Sequence, residues 1–229
     1  MNFTLMAESF AQLIWGVPTT LGLTVLSLAL GIVCATGMAL ARLSANPFLS
    51  GFARAYIFAF RGTPLLVQIY LIYNGLADFE AIRNSILWPV LREPFWCAIL
   101  ALTLNTTAYT AEIIRGGIQS VPWGQIEAAK ACGMSRFLIF RRITVPITIR
   151  QALPAYGNEI ILMVKATSLA SLITLADITG IAERIISRTF SPIEVFVVAG
   201  GMYLLINFAA TRLVRTAEWR LTPYLRPRI

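Results

Sequence analysis

Apolar runs and polar breaks alternate along this chain with a spacing that predicts five membrane spans. A run without a charged residue extends from Pro18 to about Ala41. At about 1.5 Å per residue it can cross the roughly 30 Å hydrocarbon core of a bilayer. Four further apolar runs cover about 55–77, 95–114, 152–175 and 193–211. The residues before the first run carry a single charge, Glu8, and are expected to form a short tail. No repeat of 20–50 residues, low-complexity segment or second soluble domain stands out. The expected fold is therefore all-α, one polytopic membrane domain over 1–229 with five transmembrane helices.

Polar residues inside the spans refine this picture. The second run holds Phe60-Arg61-Gly62-Thr63-Pro64 and then Gln68. Pro64 lacks a backbone donor, so a kink is expected there. Arg61 must face protein, water or the interface. It is either a snorkelling arginine beside a packing kink or part of a broken segment in a transport path. In the third run Asn105, Tyr109 and Glu112 are spaced by four and three and share one helix face. They serve as helix–helix glue or as pathway lining, and Glu112 can pair with Arg115 three residues on. The fourth run is the most polar, with Asn158, Glu159, Lys165, Thr167, Ser168 and Ser171. Six residues turn a straight helix by roughly 600°, so Glu159 and Lys165 should not pair directly. Counted from a span start near Ala152, Glu159 lies roughly 10 Å inside and needs a cation. Arg61, a partner subunit or the substrate's amine could supply it.

Composition bounds the chemistry. Hydrophobic residues make up 57% of the chain and charged residues 13%, too apolar for a soluble domain, where about 45–50% is usual. The net charge of +8 lies in the loops, so it reads as topology information and not as a nucleic-acid footprint. Lys and Arg number two in 42–54, six in 115–150 and five in 212–229, against two each in the more acidic 78–93 and 176–194. Alternate flanks are basic, which predicts the N-terminus outside and the C-terminus in the cytoplasm. There is no histidine, and no recognisable nucleophile–base pair, which disfavours a membrane-embedded enzyme. No GxxxxGK[ST] occurs, so a P-loop ATPase is excluded. Cys34, Cys97 and Cys132 lack metal spacing and read as packing residues. The first Lys or Arg is Arg42, so the start is expected to be part of the mature protein and not a cleaved signal.

The segment at about 120–146 stands apart from the apolar background. Its core reads EAAKACGMSRFLIFRRITVP, from Glu127 to Pro146. Pro122 suits a helix start, and Glu127 is expected near that N-terminus, with Arg141 and Arg142 late in the helix where positive charge is favoured. Ile126, Ala129, Gly133, Phe137 and Phe140 would form one small-to-apolar stripe, with Ala128, Ala129 and Gly133 letting another surface approach. On pattern alone this is either a connector lying on the membrane surface or a docking helix. The spacing of Glu127-Ala128-Ala129, Gly133 and Val145-Pro146 resembles the EAA signature of permease subunits of bacterial ATP-binding-cassette importers, whose last pair is usually Leu-Pro. FRGTPLLVQ around Arg61 extends the likeness to the polar amino-acid branch, of the histidine and opine permease type.

The resemblance implies a bacterial inner-membrane translocation subunit without a cofactor of its own. Two ATPase subunits would bind ATP and dock on Glu127, Ala128, Ala129, Gly133, Arg141 and Pro146. A second permease subunit, copy or homologue, would complete the path, and a periplasmic or extracellular binding protein would deliver the amino acid. The implied pathway residues are Glu159, Asn158, Arg61, Gln68, Asn105, Tyr109, Lys165, Thr167 and Ser168. Lipid is the remaining partner, and nucleic acid is not one. The rival is a secondary transporter or channel with Glu159 and Lys165 as an ion relay; five spans without an inverted repeat count against it.

Overall fold

The computed structural model describes residues 2–221, and among them the regular structure is helical. Helix α1 (Phe3–Leu13) is capped by Asn2, whose side chain accepts from the Leu5 amide at 3.2 Å. Through the tight turn Ile14–Gly16 it runs on into α2 (Val17–Leu43). The expected N-terminal tail is thus helical, part of one apolar stretch of 41 residues. Pro18 sits in the first turn of α2, where its missing donor costs nothing.

The second run does not form one straight span. It divides into α3 (Pro47–Gly62) and α4 (Leu65–Asp78), bent by 104° at Thr63–Pro64. The proline ends the hydrogen-bond ladder of α3, and the carbonyls left over find side chains instead. Gln68 Nε2 donates to the Phe60 and Thr63 carbonyls at 2.8 and 3.1 Å. Asn105 Nδ2 donates to Gln68 Oε1 at 2.9 Å, tying the break to the next span.

Helix α5 (Pro94–Gln119) is the axis of the molecule, packed on α2, α3, α4 and α7 (Val145–Ala166). Its contact with α2 rests on small residues. Ala35, Ala39 and Ala111 are fully buried together with Ile57, and a side chain at Gly31 would run into the Thr106 methyl. Close backbone approach is how helices associate where lipid supplies no hydrophobic drive. Gly31→Val is therefore expected to destabilise the α2–α5 contact by roughly 1–3 kcal/mol. Thermal unfolding of the detergent-solubilised protein checks this; an unchanged midpoint would remove Gly31 from the packing account.

After α5 comes α6 (Trp123–Ala131), then the single turn Arg136–Ile139 and a π-helical turn Phe140–Thr144 that leads into α7. The end of α7 tightens into the 3-10 turn Thr167–Ile173. Helix α8 (Ile178–Thr189) follows at 48°, and α9 (Pro192–Leu221) closes the described chain. Among the described residues three helical stretches are long and apolar enough to cross a membrane, or up to five if each bent pair counts as one. A second core joins Leu13, Ile178, Ala182, Ile185, Val195 and Ala199, holding α1, α8 and the start of α9 together. Arg42, Arg115 and α6 mark the basic end of the bundle, and the α1–α8–α9 core lies at the other.

Candidate functional site

The sequence-predicted residues fall into three separate places. The first is the segment around α6. The helix is shorter than the pattern implied, because it stops at Ala131. Gly133 has φ +76°, the left-handed region. Its amide donates to the Lys130 carbonyl at 2.9 Å and the Met134 amide to Ala129 at 3.1 Å, the paired bonds of a Schellman turn. Gly133 is thus needed for backbone geometry as much as for small size. The single stripe through Ile126, Ala129, Gly133, Phe137 and Phe140 does not form: Ala129 is buried, whereas Phe137 is 70% exposed beyond the turn.

Two electrostatic expectations for this segment also change. Glu127 lies mid-helix and not in the first turn, where it accepts from Trp123 Nε1 at 2.9 Å. Lys130 reaches over the same indole, 5.3 Å from its centroid. Lys130, not Arg141 or Arg142, is the cation of the last turn; the two arginines belong to the π-turn. Pro146 opens α7. Glu127, Ala128, Gly133 and Arg141 are exposed, so this end presents an uncovered, chemically mixed surface.

The second place is the break between α3 and α4. Gln68 spends its amide on the carbonyls of the break and Asn105 spends its own on Gln68 Oε1, as described above. Arg61 does not approach Glu159. Its guanidinium lies 5.2 Å over the Tyr109 ring. Glu112 pairs with Arg115 at 2.7 Å, the expected i, i+3 contact, and has Arg42 at 3.9 Å.

The third place is α7, and here burial separates residues that the sequence grouped. Glu159 is buried and accepts from Thr106 Oγ1 at 2.9 Å, inside the α5–α7 contact. Because α7 begins at Val145, Glu159 lies about 21 Å along the helix, deeper than a start near Ala152 implied. Gln151, Ala155, Asn158, Leu162 and Lys165 form a neighbouring, exposed stripe, spaced by four and three residues. Lys165 makes no ion pair among the described residues. Thr167 and Ser168 turn their hydroxyls onto their own backbone, bonding the Val164 and Lys165 carbonyls at 2.7 and 2.6 Å as the helix tightens.

One polar cluster was not singled out in the sequence. Asp177 is fully buried and caps α8 through the Thr179 and Gly180 amides at 3.2 and 2.9 Å. Tyr203 of α9 donates to the same carboxylate at 3.1 Å. A Cβ at Gly16 would lie 2.6 Å from the Asp177 carbonyl carbon, so the α1–α2 junction presses on this loop. Asp177 directly before an apolar helical run was a readable cap signal; its contact with Tyr203 was not.

Similarity to known proteins bears on what these places do. The family described as "Binding-protein-dependent transport system inner membrane component" matches residues 27–222. The nopaline transport system permease protein NocM of Agrobacterium fabrum (strain C58) is 57% identical over 230 residues, covering 100% of this chain and 95% of the relative. The histidine/lysine/arginine/ornithine transport system permease protein HisM of Escherichia coli (strain K12) is 40% identical over 228 residues, 96% of each chain. A crystal structure of an amino acid ABC transporter with histidines matches with a TM-score of 0.85 at 36% identity, covering 96% of this chain and 99% of that one.

Proposed function

The chain belongs to the binding-protein-dependent transport system inner membrane component family, and we propose that it lines the path of an importer for cationic amino acids or opines. It is the permease subunit of an ATP-binding-cassette importer for amino acids or opines. The cationic preference is supported by relatives named for histidine, lysine, arginine and ornithine and for nopaline. ATP is bound and hydrolysed by a separate subunit that docks on the uncovered α6 end. A second permease chain and a substrate-binding protein complete the assembly.

The observation that carries the finer reading is the polar face of α7. Asn158 and Lys165 are exposed on a helix that belongs inside the membrane. Lipid is a poor neighbour for an ammonium group, so this face turns to a partner subunit or a water-filled path. Co-purification from membranes tests the assembly. A soluble ATPase and a second permease chain should be recovered together, and uptake in reconstituted vesicles should require ATP. Uptake without ATP would instead favour a secondary transporter.

The orientation follows from charge. Basic flanks alternate with acidic ones, so the α6 end faces the cytoplasm and the N-terminus lies outside. A reporter fused after Ile229 is expected to be active only in its cytoplasmic form. Activity confined to the outside would invert the topology and leave α6 on the wrong side of the membrane for ATP-driven docking.

A further inference from the structure

Between α3 and the basic end of α5 lies an open cavity of about 600 Å³, apart from the exposed face of α7. Arg42, Arg54, Arg61, Phe58, Tyr109 and Glu112 line it. Glu112 is committed to Arg115 at 2.7 Å and touched by Arg42 at 3.9 Å. Arg54 donates to Ser50 Oγ at 3.2 Å, and Arg61 rests on Tyr109. Among the described residues neither Arg54 nor Arg61 forms a direct ion pair, and the one carboxylate in the cavity, Glu112, is shared between Arg115, Arg42 and the more distant field of Arg61. The two are seven residues apart and share one side of α3. Both are exposed.

Depth makes this arrangement costly if the cavity stays empty. Tyr109 lies ten residues before the end of α5, about 15 Å from that end along the helix. The Arg61 guanidinium over its ring is therefore set back from the basic end of the bundle, and a cation among apolar helices is disfavoured unless it meets water or a counter-charge. An anion drawn into the cavity removes that cost. A guanidinium fork matches two oxygens of a phosphate. The surroundings indicate where the phosphate comes from. Phe58, one turn from Arg54 on the same side of α3, is 82% exposed at the cavity wall. Open aromatic surface beside a recessed cationic pocket suits acyl chains attached to an anionic headgroup.

We infer that the Arg42–Arg54–Arg61 cavity binds the headgroup phosphate of an anionic phospholipid from the leaflet at the basic end. The choice of the cytoplasmic leaflet rests on the topology proposed above; the site itself does not.

The test uses the assembled complex, delipidated in detergent. It is offered phosphatidylcholine vesicles with or without about 20% phosphatidylglycerol, and retained lipid is counted by native mass spectrometry. The wild-type complex should retain phosphatidylglycerol in preference to phosphatidylcholine. Arg54→Gln with Arg61→Gln should lower that retention about tenfold, and Arg54→Gln alone by a smaller factor. The single variant, on an exposed helix face, serves if the double variant does not assemble. Equal retention by wild type and variants overturns the site, as does equal retention of the two lipids by wild type. Release of phosphatidylglycerol by added amino acid would assign the cavity to the substrate's carboxylate and also overturn the proposal. A C-terminal reporter active only outside would move the bound lipid to the outer leaflet without emptying the cavity, so failure of the topology is distinguishable from failure of the site.

Discussion

Gly133→Leu is expected to lower amino-acid uptake tenfold or more while the chain still inserts and pairs in the membrane. The reason lies in the backbone. At φ +76° a residue with a Cβ is strained, by roughly 1–2 kcal/mol. The turn it closes sets where α6 ends and where the chain turns back towards the π-turn and α7. Within the described chain a Cβ at Gly133 meets nothing within 4 Å, so crowding inside the subunit cannot explain a loss. Two causes remain: a broken Schellman turn, or a clash with the docked ATPase. Gly133→Asn separates them, because asparagine tolerates the left-handed region yet carries a side chain. Recovery with Asn assigns the defect to the turn; loss with Asn as well assigns it to the docking surface. Glu127→Lys attacks the same segment by charge. It removes the acceptor for Trp123 Nε1 and sets two cations three residues apart with Lys130. Both changes should weaken recovery of the ATPase, or the stimulation of its hydrolysis by loaded binding protein. Normal stimulation in both would reduce α6 to a surface connector.

Element existence was legible in this sequence, and element continuity much less so. Each apolar run came out helical because hydropathy is a local property. Pro64 marked the α3–α4 break for the same reason: a missing donor acts where it stands. What the sequence could not display was which side chain repairs the break. Gln68 lies within four residues of it, but Asn105 reaches it from 37 positions beyond Gln68. The EAA segment was legible as a motif and misread as a helix, since glycine serves equally as a small contact and as a left-handed turn. Its spacing alone does not distinguish the two. The stretch before the first span reads in the sequence only as a short tail with a single charge, Glu8. The structure makes it helical because Leu13 has a distant core to join on α8 and α9. Glu159 shows the limit most clearly. Periodicity placed it and Lys165 on different faces of α7, correctly, but could not say which face was inside.

That assignment decides the second prediction. Lys165→Met is expected to raise the substrate concentration for half-maximal uptake tenfold or more, with assembly and basal ATP hydrolysis preserved. Lys165 carries an ammonium on the exposed face of α7 with no carboxylate beside it among the described residues, one helix face with Asn158. An α-carboxylate moving along that face is the complementary charge, and a tenfold change corresponds to about 1.4 kcal/mol, close to the roughly 1.5 kcal/mol lower bound for one charge-assisted hydrogen bond. Glu159 calls for a different expectation. Its carboxylate is buried and accepts from Thr106, and a glutamine oxygen can accept the same bond. Glu159→Gln should therefore leave assembly intact and change uptake less than Lys165→Met does. Saturation curves for a cationic amino acid, measured with both variants in reconstituted complexes, decide between them. A larger loss in Glu159→Gln, with Lys165→Met near wild type, would put the substrate's amine at the buried carboxylate. Access to it would then require α5 and α7 to part at Thr106 during transport, because in the packed subunit that contact leaves the carboxylate covered.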